Sequence, residues 1–286
     1  MNEYMLHPVG MEMSQNACGH NCFYCFATLK NSKRKFDSKR FANQMNNIDK
    51  SDTFLAKKIR DKYPFVFSNN TDPFASNNIR LTREMLPILI EKEIPIFFQT
   101  KTGNGMYDVI KDVPPSVFYM SVTMLDDVMS RRVERQAPLP SERLEAIDML
   151  QEMGHHVIVG INPLCKEWLP EPDFVKLIEI LTSKGVKAFP VGGLYFRKQE
   201  VEKIAKFDKG GIYVQDYVKN KNVHPYLQHI IKNYHNYGLI TPCMPFYCEG
   251  MKHFLPTNYK KVATIFDFIN HIIDTHGKNV VHITFN

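Results

Sequence analysis

Short apolar runs alternate with longer amphipathic segments over the first two thirds of the chain. The apolar runs have the length of buried strands, and most are followed by polar residues. The predicted strands are Val9–Met13, Phe65–Ser68, Pro95–Thr100, Val117–Val122, His156–Asn162 and Val186–Val191. Helical spacing of apolar residues predicts helices at Thr53–Lys62, Thr82–Glu93, Ser141–Met153 and Asp173–Lys184. Strands that alternate with helices of this length indicate parallel βα units.

Periodicity alone leaves two parallel architectures open, a barrel and a doubly wound sheet. The pattern changes from Gly210 onward, where we predict helices at His224–Tyr237 and Tyr259–His276 and a closing strand at Val280–Phe285. We therefore expect one α/β domain over residues 1–286, with a core at about residues 5–200 and a covering C-terminal extension at about residues 201–286.

The composition is that of an ordinary folded protein. Of the 286 residues, 44% are hydrophobic and 23% are charged, which excludes disordered and collagen-like classes. No window approaches the roughly 20 apolar residues of a membrane span, and the N-terminus lacks a signal-peptide pattern, so we expect a cytoplasmic protein. The net charge of +6 is only mildly basic. It makes nucleic acid a possible partner but not the favoured one.

Three of the six cysteines lie close together, as Cys18, Cys22 and Cys25 in a C-x3-C-x2-C run. In a reducing compartment such thiols are typical of metal or catalytic sites. A structural zinc site usually has a second Cys or His pair, and residues 26–63 contain neither type. His20 leaves a Cys3His zinc module open as an alternative. Three close thiolates also suit an iron–sulfur cluster in which one iron has no protein ligand.

The run CGHNCFYCFA, residues 18–27, resembles the signature of the radical S-adenosylmethionine superfamily, C-x3-C-x-aromatic-C, with Tyr24 as the aromatic residue. The resemblance implies a [4Fe-4S] cluster on the three cysteines and S-adenosylmethionine bound at the remaining iron. Reduction would then cleave S-adenosylmethionine to a 5′-deoxyadenosyl radical. It also implies a partial (β/α)6 TIM-type barrel and a reducing partner such as flavodoxin or ferredoxin. The choice of a barrel rests on this resemblance.

Polar residues follow the predicted strands, where a parallel barrel gathers its functional side chains. Within the superfamily, these segments resemble the branch that contains spore photoproduct lyase. The resemblance is carried by residues 18–27, NTDPF at 70–74, Thr100-Lys101, SVT at 121–123 and RRVERQAPLPSERLEAI at 131–147. It implies that one group of residues holds the methionine or ribose end of the cofactor, namely Ser121, Thr123, Glu134 and Arg135.

The same resemblance places Asn162 on the adenosine side of the cofactor and includes Tyr24 among the cofactor-binding residues. Asn70, Asp72 and Lys101 are candidates for contact with cofactor or substrate. Each of these polar residues also has an ordinary structural interpretation, such as a turn, a surface ion pair or a cap at a strand end.

Photoproduct lyases use a cysteine as hydrogen donor near the barrel mouth, but residues 116–127 contain no cysteine. Cys165 and the pair Cys243 and Cys248 are the candidates that remain, although a buried free cysteine is the simpler interpretation of each. The short chain and the lack of a strongly basic C-terminal region argue against binding duplex DNA. A small nucleoside or nucleotide is therefore the expected substrate.

One branch that resembles this family, the queuine lyases, releases queuine from queuosine or its monophosphate. Under this hypothesis the predicted catalytic residues are Cys165, Asp72 and Tyr195, and the predicted substrate contacts are Asp72, Tyr195, Tyr247 and Glu249. Two alternatives stay open: a radical enzyme that repairs or modifies DNA or transfer RNA, and the non-enzymatic zinc module.

Overall fold

A computed structural model describes residues 9–11, 18–25, 37–60, 65–67, 71–94, 96–187, 189–204, 210–218, 224–237 and 239–240. In these residues seven strands form one parallel sheet in chain order. The strands are β1 Val9–Met11, β2 Phe65–Phe67, β3 Ile96–Thr100, β4 Val117–Ser121, β5 His156–Leu164, β6 Phe189–Gly193 and β7 Leu239–Ile240. Neighbours in space are therefore neighbours in sequence, as in a barrel that has not closed.

Helices connect the strands and cover one face of the sheet. They are α1 Ser38–Asn46, α2 Phe54–Arg60, α3 Ile79–Glu91, α4 Tyr107–Ile110, α5 Asp127–Val133, α6 Pro140–Glu152, α7 Glu171–Ser183, α8 Lys198–Ile204 and α9 Pro225–Tyr234. Short 3-10 turns lie at Ile48–Lys50, Asn104–Met106, Val214–Tyr217 and His235–Tyr237. None of the helices in the described part of the chain combines the length and apolar character needed to cross a bilayer.

The side chains of each strand alternate between two environments. On β3 and β4, Phe98 and Phe118 belong to the main core between the sheet and the helices. The alternate positions Gln99, Tyr119 and Ser121 face the other way, and Gln99 and Ser121 line a cavity there. The inner face of the sheet is therefore apolar at Tyr119 and becomes polar toward the C-terminal ends of the strands.

The first five strands begin within one residue of their predicted starts, but β6 begins at Phe189 rather than Val186. Gly185 has φ +78°, and the Val186 N–H donates to the Leu181 carbonyl over 3.0 Å. Val186 therefore completes the C-terminal cap of α7 instead of starting a strand. The sheet also continues beyond the six predicted strands, because β7 pairs with β6.

Helices α1, α4, α5 and α8 were not predicted, because each is short or has few residues that form an apolar stripe. In α5 the buried residues are Ser130 and Val133. This helix begins at a local signal, the Asp126 carboxylate, which accepts the N–H groups of Val128 and Met129 over 2.8 and 3.2 Å. The predicted elements at 259–276 and 280–285 lie outside the described residues.

Candidate active site

A cavity of about 260 Å³ lies at the C-terminal ends of β2 to β6. Nine of the residues predicted for the site line it together: Cys18, Cys22, Cys25, Tyr24, Asp72, Lys101, Ser121, Asn162 and Tyr195. We call the side formed by residues 18–25 and the ends of β2 to β4 the near wall. The side formed by the ends of β5 and β6 and by residues 194–200 is the far wall.

The cysteine loop, residues 18–25, is built from two tight turns. The Asn21 N–H donates to the Cys18 carbonyl over 3.2 Å, and the Cys25 N–H donates to the Cys22 carbonyl over 3.1 Å. Asn21 has φ +49°, a conformation that asparagine tolerates better than most residues. The turns bring all three thiols to the same cavity. Cys22 is buried, and Cys18 and Cys25 are half-buried.

The segment that follows β2 supports the cysteine loop from one side. The Gly19 N–H donates to Asn77 Oδ1 over 2.8 Å. A Cβ atom on Gly19 would lie 2.7 Å from Ser76 Oγ, closer than side-chain atoms normally approach. A side chain at this position would therefore displace the Ser76 and Asn77 side chains, including the Asn77 oxygen that accepts the Gly19 N–H.

The segment that follows α5 supports the loop from the other side. Cys22 forms an isolated antiparallel bridge with Glu134, and the Phe23 N–H donates to the Val133 carbonyl over 2.9 Å. The Gln136 N–H donates to the His20 carbonyl over 3.0 Å. This segment belongs to residues 131–147, which the sequence analysis connected with the cofactor, and its backbone holds the cysteine loop.

Glu134 is fully buried at the centre of a charged network behind the near wall. One of its oxygens lies 2.5 Å from Arg143 Nη2, in an ion pair between two buried side chains. The other accepts hydrogen bonds from the Tyr24 hydroxyl and from Thr123 Oγ1, the latter over 3.0 Å. Lys101 Nζ lies 3.4 Å from that same oxygen. Glu134 therefore joins the cysteine loop, β3, β4 and α6.

The network fixes the charges of its members. Burial alone would raise the pKa of Glu134, but the charges of Arg143 and Lys101 outweigh it and lower that pKa to about 2. Burial also opposes the charge on Arg143, and Glu134 more than offsets this and raises the pKa of the guanidinium. Glu134 is thus an ionised carboxylate whose partners are other groups of the protein.

His20 links the cysteine loop to the strand ends through Asp72. His20 Nε2 lies 2.9 Å from Asp72 Oδ2, and both side chains are buried. Asp72 also accepts hydrogen bonds from Thr100 Oγ1 over 2.9 Å and from the Lys101 N–H over 2.6 Å. Burial would raise the pKa of Asp72, but the charge and hydrogen bond of His20 and the backbone N–H groups outweigh it and lower that pKa. Asp72 therefore acts on the loop through His20.

Cys18 and Cys22 lie in surroundings that disfavour an isolated negative charge on the thiol. Burial, with the charge of Asp72, raises the pKa of Cys18 to about 12. Burial, with the charge of Glu134, raises the pKa of Cys22 well above its ordinary value. A thiolate at these positions is favoured only beside a cation, and binding a metal releases the thiol protons.

A small second core packs behind the aromatic residues of the cysteine loop. Phe23 meets Trp168 edge to face at 5.6 Å between ring centroids, and Tyr24 stacks on Trp168 at 5.5 Å. Trp168 Nε1 donates to the Gly210 carbonyl over 2.7 Å, which connects this core to the segment after α8. The second core consists of Phe23, Met124, Val133, Cys165, Trp168, Leu194, Phe196, Ile204, Ile212, Val214 and Tyr217.

Cys165 belongs to this second core and is not among the residues that line the cavity. Its Sγ lies 3.0 Å from Glu167 Oε2 and 3.4 Å from the Tyr217 hydroxyl. Burial and the hydrogen bond to Glu167 raise the pKa of Cys165 above its ordinary value. The structure therefore places this thiol behind the cavity, where it is protonated and hydrogen-bonded.

The far wall is composed differently. It contains Asn162 and Pro163 from β5, Gly193 at the end of β6, and Leu194, Tyr195 and Glu200 after it. A Cβ on Gly193 would lie 3.0 Å from two ring carbons and the hydroxyl oxygen of Tyr195, so the absence of a side chain there makes room for the tyrosine. Tyr195 is 37% exposed, the carboxylate of Glu200 is mostly buried, and both line the cavity.

Other predicted residues lie away from the cavity or outside the described residues. Thr123 and Glu134 are buried behind the near wall, and Arg135 is half-buried away from the cavity lining. Asn70, Cys243, Tyr247, Cys248 and Glu249 lie outside the described residues. The roles predicted for all of these residues stay predictions.

Sequence reasoning did not assign roles to several residues of the site. Arg143 has no sequence signal, because a lone arginine within a helix is ordinarily exposed. His20 was considered only as a zinc ligand, whereas its Nε2 contacts Asp72. Gln99 and Glu200 also line the cavity. Gln99 could have been found from its position at the end of a strand.

No family model matches this sequence, and no curated protein matches it either. Solved structures match in fold. SuiB of Streptococcus suis bound to precursor peptide SuiA aligns with a TM-score of 0.51 and 13% identity, over 81% of this chain and 47% of that chain. Spore photoproduct lyase complexed with dinucleoside spore photoproduct aligns with a TM-score of 0.51 and 14% identity, over 73% of this chain and 61% of that chain.

SuiB has also been solved bound to S-adenosylmethionine. That chain aligns with a TM-score of 0.48 and 12% identity, over 74% of this chain and 47% of that chain, which is too low to add to the fold argument. The present chain spans about half the length of SuiB and 61% of the lyase. The likeness confirms the predicted fold class, an α/β partial barrel.

Proposed function

We propose that this chain is a radical S-adenosylmethionine enzyme in which Cys18, Cys22 and Cys25 hold a [4Fe-4S] cluster. The observation that carries the proposal is that the three thiols of the signature line one cavity at the C-terminal ends of barrel strands. When bound, the cluster and S-adenosylmethionine would supply a 5′-deoxyadenosyl radical that abstracts a hydrogen atom from the substrate.

The residues of the cavity fit these cofactors. Three thiolates from one loop can each bind a different iron of a cluster. A single zinc ion would instead need a fourth ligand beside the three thiols, and the histidine of the same loop, His20, has its Nε2 2.9 Å from Asp72 Oδ2. Gln99 adds a buried Oε1 atom that accepts no hydrogen bond from the described residues, so it can accept one from a ligand.

The near wall would orient the cofactors and keep water away from them. Lys101 is the only lysine or arginine among the described residues that line the cavity, and its side chain is 15% exposed. We assign it to a carboxylate of the bound cofactor, because a partly desolvated ammonium group binds such an anion strongly. Ser121 and Asn162, on the next two strands of the sheet, would supply neutral hydrogen bonds.

We propose further that the reaction is the lysis of a modified nucleoside, with queuosine or its monophosphate as substrate and queuine as released base. The cavity contains an aromatic ring at Tyr195 and amides at Gln99 and Asn162, which are groups that recognise planar heterocycles. The cysteine and strand-end motifs resemble the branch that contains spore photoproduct lyase, and the queuine lyases are a branch similar to it, which supports the same reaction. A reducing partner such as flavodoxin or ferredoxin would supply the electron.

The radical chemistry is tested by anaerobic reconstitution with iron and sulfide, followed by S-adenosylmethionine and dithionite. We expect 5′-deoxyadenosine by mass spectrometry from the native chain and none from Cys22→Ala. Cys165→Ala is the matched control for iron content, which it should retain, because this thiol lies behind the cavity. A colourless protein that forms no 5′-deoxyadenosine would contradict the proposal.

The substrate is tested in the same reaction with queuosine and with its monophosphate. We expect free queuine to form in proportion to 5′-deoxyadenosine. If 5′-deoxyadenosine forms but no base is released from either compound, the lyase assignment is wrong while the radical assignment stands.

A second candidate is an enzyme that acts on DNA or transfer RNA. It is favoured by the likeness in fold to spore photoproduct lyase, which has been solved with a dinucleoside. Binding that depends on several phosphates weakens steeply with salt. Measurement of affinity for duplex DNA and transfer RNA at two salt concentrations distinguishes this candidate, since a nucleoside enzyme should bind neither specifically.

A further inference from the structure

The cavity has opposite charges on its two walls. Lys101 lies on the near wall, and Glu200 lies on the far wall. The near-wall carboxylate Asp72 is matched by His20 and by hydrogen-bond donors of the protein. Of the two carboxylates that line the cavity in the described part of the chain, Asp72 and Glu200, Glu200 is therefore the one that a positively charged ligand can reach as a partner.

Glu200 is only partly satisfied by the protein. Its Oε2 accepts the Arg197 N–H over 2.8 Å, which caps the first turn of α8. Its Oε1 lies 3.9 Å from Arg197 Nε, beyond hydrogen-bond distance, and the Arg197 side chain is 62% exposed to solvent. The Glu200 side chain itself is 12% exposed. A mostly buried carboxylate thus borders the cavity, and its Oε1 accepts no hydrogen bond from the described residues and is paired only loosely with the exposed Arg197 side chain.

Tyr195 borders the same wall with an aromatic ring. The ring lies beside Gly193, where a side chain would displace it. The face of a tyrosine ring attracts a cation, and a carboxylate forms a charge-assisted hydrogen bond with an ammonium group. A ring and a carboxylate that border one cavity therefore form a combination that favours a protonated amine over a neutral or anionic group.

We propose that Tyr195 and Glu200 form a subsite for a protonated amine on the substrate. The proposal rests on the proposed function, in which the cavity binds a modified nucleoside, and it specifies that the modification carries an aliphatic amine. The ammonium group donates a hydrogen bond to Glu200 Oε1 and lies against the Tyr195 ring. Lys101, on the opposite wall, disfavours the reverse orientation of the amine.

The test compares two nucleosides that differ in one group, 7-aminomethyl-7-deazaguanosine and 7-hydroxymethyl-7-deazaguanosine. Their affinities are measured by calorimetry on reconstituted protein with S-adenosylmethionine and without reductant. A charge-assisted hydrogen bond predicts a preference for the amine of about tenfold to a hundredfold. In Glu200→Gln the amide oxygen can still accept the Arg197 N–H, but the charge is gone, and we expect the preference to disappear.

Glu202→Gln is the matched control, because it removes the same charge from the exposed face of the same helix. It should retain the preference. Tyr195→Leu should reduce the affinity for the amine more than the affinity for the alcohol. If Glu200→Gln lowers the melting temperature but leaves the preference intact, Glu200 only caps α8 and the subsite is wrong. Equal binding of both nucleosides by the native chain, or no binding of either, would overturn it too.

The outcome is separable from that of the proposed function. Queuine release and 5′-deoxyadenosine formation are measured in separate reactions on the same preparations. A preference that depends on Glu200, together with no release of queuine, would support the subsite and reject the queuine reaction. Release of queuine without any effect of Glu200→Gln on the preference would support the queuine reaction and reject the subsite.

Discussion

The two walls of the cavity differ in how far the protein itself satisfies their polar groups. On the near wall, Glu134 and Asp72 are buried and receive hydrogen bonds or charges from Arg143, Lys101, His20 and backbone N–H groups. On the far wall, one oxygen of Glu200 accepts no hydrogen bond within the described part of the chain, and Tyr195 is over a third exposed. The near wall is thus organised before any ligand arrives, whereas the far wall retains groups for a ligand to use.

Removing the Arg143 guanidinium behind the near wall should lower the free energy of unfolding more than any other change considered below. Arg143→Met leaves the Glu134 charge buried without its main partner, which predicts a loss of about 3–5 kcal/mol in the free energy of unfolding. Urea denaturation measures this loss. The double variant Arg143→Met with Glu134→Gln should recover part of it, because no buried charge is then left unpaired. A loss below about 1 kcal/mol in the single variant would mean that the near wall is not organised by this pair.

Mild acid should destabilise the protein through a group that belongs to neither wall. His155 is buried between Phe118 and the Ser116 N–H, and burial lowers its pKa to about 4. Between pH 6.5 and 4 the unfolded chain binds a proton that the folded chain does not, so stability falls as the pH falls. The loss approaches about 3 kcal/mol at pH 4.

The matched variant for this prediction is His155→Asn, which keeps an acceptor for the Ser116 N–H but does not titrate. Its stability should change much less between pH 6.5 and 4. Glu134 stabilises the fold through its charge, and its pKa is lowered to about 2. That stabilisation is lost only as the pH falls from the ordinary carboxyl pKa to below 2, so it does not account for a loss between pH 6.5 and 5. An equally steep loss in His155→Asn would assign the acid sensitivity to another group.

Asp72→Asn should weaken the near wall by a smaller amount. The amide cannot accept all of the hydrogen bonds that the carboxylate accepts from Thr100, Lys101 and His20, so we expect a loss of about 1–3 kcal/mol. Iron uptake during reconstitution should fall as well, because His20 then holds the cysteine loop less firmly. Asp112→Asn, at an exposed position, is the control and should behave like the native chain. Full iron content in Asp72→Asn would show that the His20 contact does not position the loop.

Gly193→Ala should affect the far wall with little effect on the fold. The added methyl group displaces the Tyr195 ring, which can move toward solvent, so the free energy of unfolding should change by less than about 1 kcal/mol. The affinity for a nucleoside substrate should fall several-fold while iron content stays the same. Gly105→Ala adds a methyl group in open space and is the control. Unchanged affinity in Gly193→Ala would remove Tyr195 from the substrate site.

Much of the fold could be predicted because its strands are short apolar runs with polar ends, as at Phe65–Phe67 and Val117–Ser121. Boundaries set by local geometry were harder. Val186 is apolar like a strand residue, but the positive φ of Gly185 makes it part of a helix cap. Strand β7 has only two described residues, too few for a periodic pattern to identify.

The site was predictable where one motif concentrates its chemistry, as at Cys18, Cys22 and Cys25. It was not predictable where function depends on pairs of residues that different elements bring together. Strand β2 lies between His20 and Asp72 in the chain, and Glu134, at the end of α5, meets Arg143 of α6. Such contacts depend on how the elements pack, which the spacing of residues along the chain does not specify.

Trp168 gives the molecule an internal optical reporter. It is the only tryptophan in the chain, and it stacks on Tyr24, which stands between Cys22 and Cys25 in the sequence. Fluorescence from this single indole is therefore emitted next to the thiols and needs no added label. An iron–sulfur chromophore at those thiols should quench the emission, while loss of the loop conformation should shift it to the red. One emission spectrum would thus distinguish a protein that lacks metal from one whose cysteine loop has unfolded.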